Sequence, residues 1–300
     1  MMKPLVRRIL LFAGSLGISC TVLYFGVVRQ VQRGVQAQAC SDCALPAALP
    51  ELPSERGHAT LGPAHPGDWR YRYHEDPQSF DAYVQGPVNR KCAHRSTFYL
   101  QPLGAAGTRY RQALERMRIY AEAYFGVPAR ILDPIPMFEQ TLAADRKQYD
   151  ASAILLELTE RIPKDALVYM GITEKDLYTK GLNFVFGVGG LHHRCGVYSL
   201  TRYETDDEPL FTRRALKLLS HEAGHILTID HCVTYECVMQ GANSLEEDDG
   251  HPMHLCPIDL RKVLWNTGVD PQERYGKLLR LYRDWSLASE AVWVTSRLGR

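Results

Sequence analysis

Residues 221–231 read His-Glu-Ala-Gly-His-Ile-Leu-Thr-Ile-Asp-His, and they end a long predicted helix from Phe211 to Ile229. On a helix, His221 and His225 are four residues apart and project from one face. Two neutral imidazoles supply half of a tetrahedral zinc site. Glu222 stands beside the first histidine, where a carboxylate can take a proton from a zinc-bound water and pass it to a leaving amine. The stretch therefore predicts a catalytic zinc site with its own general base.

The third ligand must come from beyond the second histidine. A continuous helix would carry His231 about 15 Å along its axis from His221. It therefore reaches the same ion only if the helix breaks after His225 and the chain turns back. Glycine usually makes such a turn, but Thr228 stands at that position, where a left-handed backbone costs roughly 1–2 kcal/mol. Asp230 is the alternative third ligand, and the spacing leaves both open.

The N-terminal part of the chain differs in composition from the rest. An uncharged run from Ile9 to Val28 has basic residues on both sides, and its length suits a helix crossing ~30 Å of hydrocarbon. We therefore expect residues 1–36 to be a signal anchor, with a long cleavable signal peptide as the alternative. Residues 37–68, rich in Ala, Pro and Gly, are predicted to be a linker, and residues 69–300 a single domain.

The N-terminal run also predicts the location of the domain. Either interpretation exports the remainder of the chain, so we expect a membrane-anchored domain in the periplasmic or extracellular space. Secretion after cleavage is the alternative. The net charge of +1, from 35 basic and 34 acidic residues, gives no reason to expect a nucleic-acid partner.

Predicted strands and helices alternate along the domain, which indicates a mixed α/β (α+β) fold. The predicted strands cover residues 96–102, 127–132, 166–171, 183–187 and 196–203. Besides the helix with the histidines, the predicted helices cover residues 108–125, 151–162, 258–266 and 271–284.

The chain has eight cysteines, and export permits disulfides. Three of them, Cys232, Cys237 and Cys256, crowd beside the histidine motif, which indicates metal binding there. The Cys40-Ser-Asp-Cys43 spacing resembles a redox pair and makes a thiol oxidoreductase a distant alternative function. The remaining candidates for a disulfide are Cys92 and Cys195.

The motifs after His221 resemble those of the archaemetzincins, zinc metallopeptidases of the metzincin clan. The resemblance rests on the extended histidine motif, the Cys232 to Cys237-Val-Met239 spacing that follows it, and Pro252-Met-His-Leu-Cys256-Pro. It implies a metzincin-like fold: a mixed twisted β-sheet with helices, a zinc-binding active-site helix and a cysteine-rich C-terminal subdomain.

The resemblance also implies roles for particular residues. His221, His225 and His231 would bind the catalytic zinc and Glu222 would be the general base. Met239 would lie in a turn beneath the zinc, a position that also suits simple core packing.

A second, structural zinc is implied as well, and here the chain departs from the family. Cys232, Cys237 and Cys256 match three of its four cysteines, while Asp259 stands where the fourth belongs. Aspartate can bind zinc through oxygen, and His254 is another candidate ligand. If the site has been lost, two of the three thiols would instead form a disulfide.

We therefore expect a zinc-dependent metallopeptidase that hydrolyses peptide bonds with a zinc-activated water and Glu222 as general base. The alternative from another class is a catalytically inactive, zinc-stabilised scaffold displayed at a membrane, which Thr228 and Asp259 favour. Two further segments, His192-His193 and the acidic run at residues 246–249, are predicted to be solvated loops.

Overall fold

A computed structural model of the chain describes residues 57–189 and 194–299. The predicted signal anchor at residues 1–36, the Cys40–Cys43 pair and His192-His193 lie outside the described residues. Within the described ranges no helix has the length and apolarity needed to cross a bilayer.

The strands form two sheets. They are β1 Thr97–Leu103, β2 Ala129–Ile131, β3 Leu142–Ala143, β4 Gln148–Asp150, β5 Ala166–Thr173, β6 Leu177–Tyr178, β7 Gly187–Gly189 and β8 Cys195–Ser199. The main sheet has the order β2-β1-β5-β8-β7, and β3, β4 and β6 form a small second sheet. The first four strands of the main sheet are parallel, while β7 runs antiparallel to β8 at the edge.

The central strands are buried along their whole length, as expected for parallel strands covered on both faces. The helices that cover the sheet and complete the domain are α1 Trp69–Arg72, α2 Phe80–Gln85, α3 Thr108–Phe125, α4 Ala151–Thr159, α5 Glu208–Ile226, α6 Leu245–Gly250, α7 Pro257–Thr267, α8 Pro271–Asp284 and α9 Ala288–Arg297.

Helix α5 carries the histidine motif and lies in the main core. It begins at Asp207, whose side chain accepts a hydrogen bond from the Leu210 amide, a common way to satisfy a free N–H group at a helix start. Its apolar face, including Leu216 and Ile226, belongs to the same buried cluster as Phe98 and Met170 of the main sheet. Packing therefore fixes the helix against the sheet, and its last turns carry the histidine motif.

The predicted mixed α/β class is confirmed, with differences in detail. The strand expected at residues 183–187 lies at residues 187–189, while Val185 forms an isolated bridge with Leu177 of the second sheet and the Phe186 ring stacks on Tyr203. The helix expected to reach Ile229 ends at Ile226. Helix α9 and the second sheet have no counterpart in the sequence prediction.

The segment before residue 69 packs on the domain in its described part. Leu61 donates its amide hydrogen to the Thr234 carbonyl, and Glu236 donates to the Ala59 carbonyl, at 3.0 and 2.9 Å. Residues predicted to end a linker therefore form a short antiparallel contact with the loop between the histidine motif and Cys237. We call residues 57–89 the N-terminal strap.

Candidate active site

The structure brings His221, His225 and His231 together at the end of α5. One ring nitrogen from each lies within 4.8 Å of those from the other two, and the Nε2 atoms of His221 and His225 are 3.0 Å apart. Asp230, the alternative third ligand, does not belong to this group. Three imidazole nitrogens that converge on one point are a donor set suited to zinc.

The other nitrogen of each ring has a fixed partner at 2.8 Å. The Nδ1 atom of His221 faces the Val238 carbonyl and that of His225 faces the Ile229 carbonyl. In contrast, the Nδ1 atom of His231 faces a side chain, the carboxylate of Glu75. These oxygens accept a hydrogen bond when Nδ1 is protonated, which leaves each Nε2 lone pair free for a metal.

Burial makes the helical histidines neutral. It lowers the pKa of His221 to about 3, and the nearby His231 acts in the same direction. Burial also lowers the pKa of His225 well below its usual range, with His221 and His231 adding to the effect. The neutral form is the one that binds metal, so both imidazoles are already in the protonation state that zinc binding requires.

Helix α5 ends in a Schellman motif that turns the chain back. The Ile229 amide donates to the Gly224 carbonyl and the Thr228 amide donates to the His225 carbonyl, at 2.9 and 2.8 Å. Thr228 has φ 68°, the left-handed position that glycine usually fills in this motif. The turn expected from the spacing of the histidines therefore forms with threonine in place.

Glu222 lies beside the first histidine, with its carboxylate facing the edge strand β7. A Cβ placed on Gly189 would be 3.5 Å from its Oε2 atom. Burial raises the pKa of Glu222 to about 8, and the negative charge of Asp248 adds to this, while the nearby hydroxyl of Tyr198 acts in the opposite direction. A carboxyl group with a pKa near neutrality can both accept and donate a proton.

Met239 packs against the helix that carries the histidines. It is fully buried, and a Cβ on Gly224 of α5 would collide with its Sδ atom. The residue before it, Val238, orients His221 through its carbonyl group. Met239 is therefore packed directly on the helix that carries the motif, and the absence of a side chain at Gly224 makes room for this contact.

The acidic run at residues 246–249 is not a solvated loop, which corrects the sequence prediction. It forms α6, and its acidic groups bind the basic side of α5: Asp249 pairs with Arg214, and Lys217 donates to the backbone carbonyl of Asp248. Burial lowers the pKa of Lys217 to about 8. The spacing of Ser244 and Glu247 is a capping-box signature, and the Ser244 side chain does accept from the Glu247 amide. That signal was available in the sequence.

The cysteines form a second cluster. One ligand atom each from Cys232, Cys237, Cys256 and Asp259 lies within 4.8 Å of the others, and all four residues are buried. The Oδ2 atom of Asp259 is 3.3 Å from the Cys237 sulfur and 3.4 Å from the Cys256 sulfur, while its Oδ1 atom accepts from Lys262 at 2.8 Å.

Backbone groups also support this cluster. The amides of Met239 and Cys256 both donate to the Cys237 sulfur, at 3.4 and 3.1 Å. Burial raises the pKa of the Cys237 thiol well above its ordinary value, and the two N–H donors would stabilise its thiolate once a metal replaced the proton.

The other thiol and ligand alternatives are not supported by the geometry. His254 is stacked on Trp293 with ring centroids 3.9 Å apart and does not belong to the cysteine cluster. Neither Cys92 nor Cys195 is in a disulfide bond, so the pairing considered between them is not formed. The sulfur of Cys195 instead lies 3.5 Å from the Thr159 hydroxyl.

Comparison with known proteins gives one consistent result. Residues 111–263 match the sequence profile of peptidase family M54. Archaemetzincin-2 of Macaca fascicularis is 32% identical over 262 residues, which cover 73% of this chain and 73% of that protein. Archaemetzincin of Pyrococcus furiosus is 37% identical over 149 residues, which cover 46% of this chain and 77% of that protein.

A solved structure agrees with the sequence matches. The crystal structure of archaemetzincin from Methanopyrus kandleri has a TM-score of 0.53 and 26% identity, over 60% of this chain and 99% of that chain. The region that matches family M54 contains both the histidine and the cysteine clusters but begins after the N-terminal strap.

Proposed function

Because the chain belongs to the archaemetzincin family, peptidase family M54, and is a zinc metallopeptidase, we propose which residues perform its chemistry. His221, His225 and His231 hold the catalytic zinc, and Glu222 is the general base for peptide hydrolysis. The observation that carries this proposal is the convergence of the three histidine rings beside a carboxyl group whose pKa is raised to about 8.

Bound zinc supplies Lewis-acid chemistry, since it polarises a carbonyl group and lowers the pKa of water. The protein supplies proton transfer and orientation. Glu222 takes a proton from the attacking water and returns it to the leaving nitrogen, which its raised pKa allows in both directions. The oxygen partners of the three Nδ1 atoms hold each imidazole in one orientation throughout.

The edge strand β7 suggests how a substrate lies. It pairs with β8 on one side, and no described strand pairs with its other side. A Cβ placed on Gly189 would be 3.5 Å from the Oε2 atom of Glu222, so β7 lies close to the proposed base. An extended peptide can add to such an edge through main-chain hydrogen bonds, so we propose that substrates bind as an extra strand along β7.

The cysteine cluster suits a second zinc ion with a structural role. Its donors would be Cys232, Cys237, Cys256 and the Oδ2 atom of Asp259, since Lys262 occupies the other carboxylate oxygen. Two backbone amides already donate to one of the sulfurs. A three-cysteine, one-aspartate site is therefore favoured over a disulfide within the cluster.

The scaffold alternative loses part of its support. It depended on Thr228 displacing the third ligand, yet the left-handed turn forms and His231 reaches the other histidines. We also keep as a proposal that residues 1–36 anchor the protein in a membrane and that the domain is exported. Resistance of the full chain, but not of residues 37–300, to alkaline extraction from membranes would support the anchor.

The central test uses Glu222→Gln in the full chain with a library of synthetic peptides. We expect unchanged zinc content and a loss of peptide cleavage of at least about a hundredfold. His225→Ala is the comparison, because it should lose one zinc ion as well as activity. Cleavage by Glu222→Gln at the rate of the unaltered protein would overturn the proposed base.

A further inference from the structure

The N-terminal strap crosses the end of α5 and supplies side chains to the zinc centre from a distant part of the sequence. Trp69 packs edge-on against the His231 ring, with centroids 5.2 Å apart, and a Cβ on Gly241 would collide with its indole. Its amide donates to Glu247 of α6 at 2.7 Å. The strap is thus fixed against the domain on the side of the third histidine.

Glu75 is the strap residue that meets a ligand directly. Its Oε2 atom lies 2.8 Å from His231 Nδ1 and 3.4 Å from the Trp69 indole nitrogen. A backbone carbonyl group faces Nδ1 of His221 and of His225, whereas the Glu75 carboxylate takes that place at His231. A carboxylate that accepts a hydrogen bond from Nδ1 fixes the orientation of the ring, so that Nε2 would point toward a bound metal. It also makes Nε2 a more basic metal ligand than a carbonyl group in the same place would.

Gln78 holds the backbone that leads to His231. Its side-chain amide donates to the Thr228 carbonyl at 3.0 Å, and its oxygen accepts from the Asp230 amide at 3.2 Å. The carbonyl between these two groups, that of Ile229, is the partner of His225 Nδ1. The Gln78 side chain therefore fixes the backbone segment that orients His225 and leads to His231.

Two more strap residues satisfy the end of the helix. The Tyr83 hydroxyl donates to the Leu227 carbonyl and the Asn89 amide donates to the Ile226 carbonyl, at 2.8 and 3.0 Å. With Gln78 on the Thr228 carbonyl, three successive carbonyl groups have partners from the strap. The end of the helix therefore depends on the strap for the partners of these carbonyl groups.

We propose that Glu75 is a positioning residue of the zinc centre, and that Gln78 positions the turn on which His231 stands. The inference rests on the proposed function, because it requires that the three histidines hold zinc. Both residues lie outside residues 111–263, the region that matches the family M54 profile.

The test measures the zinc dissociation constant of the ion that His225→Ala removes, by competition with a chelator. In the full chain, we expect Glu75→Ala to weaken zinc binding about tenfold to a hundredfold. Glu75→Gln keeps an acceptor without the charge, so it should recover part of this loss. Asp76→Ala is the matched control, since it removes the exposed carboxylate next in sequence and should leave zinc binding unchanged.

The outcomes separate this inference from the proposed function. Wild-type zinc affinity in Glu75→Ala would overturn the role of Glu75 and leave the zinc proposal standing. Equal weakening in Glu75→Gln, Glu75→Ala and Asp76→Ala would show a general loss of strap structure and would also overturn it. If the unaltered protein holds no zinc that depends on His225, the proposed function fails and this inference fails with it.

Discussion

At position 228 a threonine occupies a conformation that favours glycine. Its φ of 68° is maintained by the Schellman hydrogen bonds on one side and by Gln78 on the other. The structure shows that the protein's own hydrogen bonds hold this conformation, so the turn does not depend on an ion alone.

Thr228→Gly should stabilise the protein slightly. Glycine relieves roughly 1–2 kcal/mol of left-handed strain but adds roughly 0.5–1 kcal/mol of chain entropy to the unfolded state. We therefore expect the free energy of unfolding, measured by urea denaturation, to rise by up to about 1.5 kcal/mol. Thr228→Val, which has no hydroxyl but keeps the strain, is the control. A glycine variant less stable than the threonine protein would contradict this account of the turn.

We expect binding of the proposed second zinc ion to require the Asp259 carboxylate. Asp259→Ala alone would leave the buried Lys262 ammonium, 2% exposed, without its partner, and such a buried charge is costly. The double variant Asp259→Ala with Lys262→Met removes both charges. We expect it to fold and to lose one zinc ion per chain by elemental analysis, while the His225-dependent ion stays. Full retention of both ions would exclude Asp259 as a ligand.

At the scale of elements, the strap and the end of α5 act as one unit. Gln78→Leu should destabilise the protein with Thr228 more than it destabilises the Thr228→Gly variant, because only the threonine turn needs to be held against strain. A double-mutant cycle by urea denaturation should give a coupling of about 0.5–1 kcal/mol, within the usual range for residues in contact. Additive effects would mean that Gln78 does not support the strained turn.

Elements with local signals were predictable, and those held by distant contacts were not. Helix α3 was expected and found at residues 108–125, because its apolar spacing is regular and Gly126 ends it in a left-handed cap. The histidine spacing alone placed a turn after His225. The strap gave no such signal, since Glu75 is separated from His231 by 156 positions and lies in a segment without periodicity.

At the scale of the whole molecule, acid should release the start of the strap. His58 lies against His254 and Trp293, with Arg297 nearby. Burial lowers the pKa of His58 to about 4, and Arg297 adds to this. Burial, then the charges of His58, Arg297 and Arg274, lowers the pKa of His254 to about 3.

Because the pKa values of His58 and His254 are lower in the folded protein than in the unfolded chain, acid destabilises the folded protein. Below about pH 6.5, His58 and His254 become protonated in the unfolded chain but stay neutral in the folded protein. The free energy of unfolding therefore decreases as the pH falls from 6.5 toward 4 and 3. His254→Phe keeps the ring on Trp293 without the titration. Between pH 6.5 and 4, the free energy of unfolding of this variant should fall less than that of the unaltered protein. The difference should be roughly 1 kcal/mol per pH unit. His94→Phe, at an exposed site, is the control, and an equally steep loss in His254→Phe would contradict the prediction.

The contact between Glu75 and His231 has a consequence for how the protein is made. The strap leaves the ribosome early, whereas the histidine that it supports is added 156 residues later. During most of synthesis Glu75, Gln78 and Tyr83 have nothing to hold. The contact between Glu75 and the third histidine therefore forms only after 156 further residues have been made, and a nascent chain stopped before position 231 cannot assemble the histidine cluster.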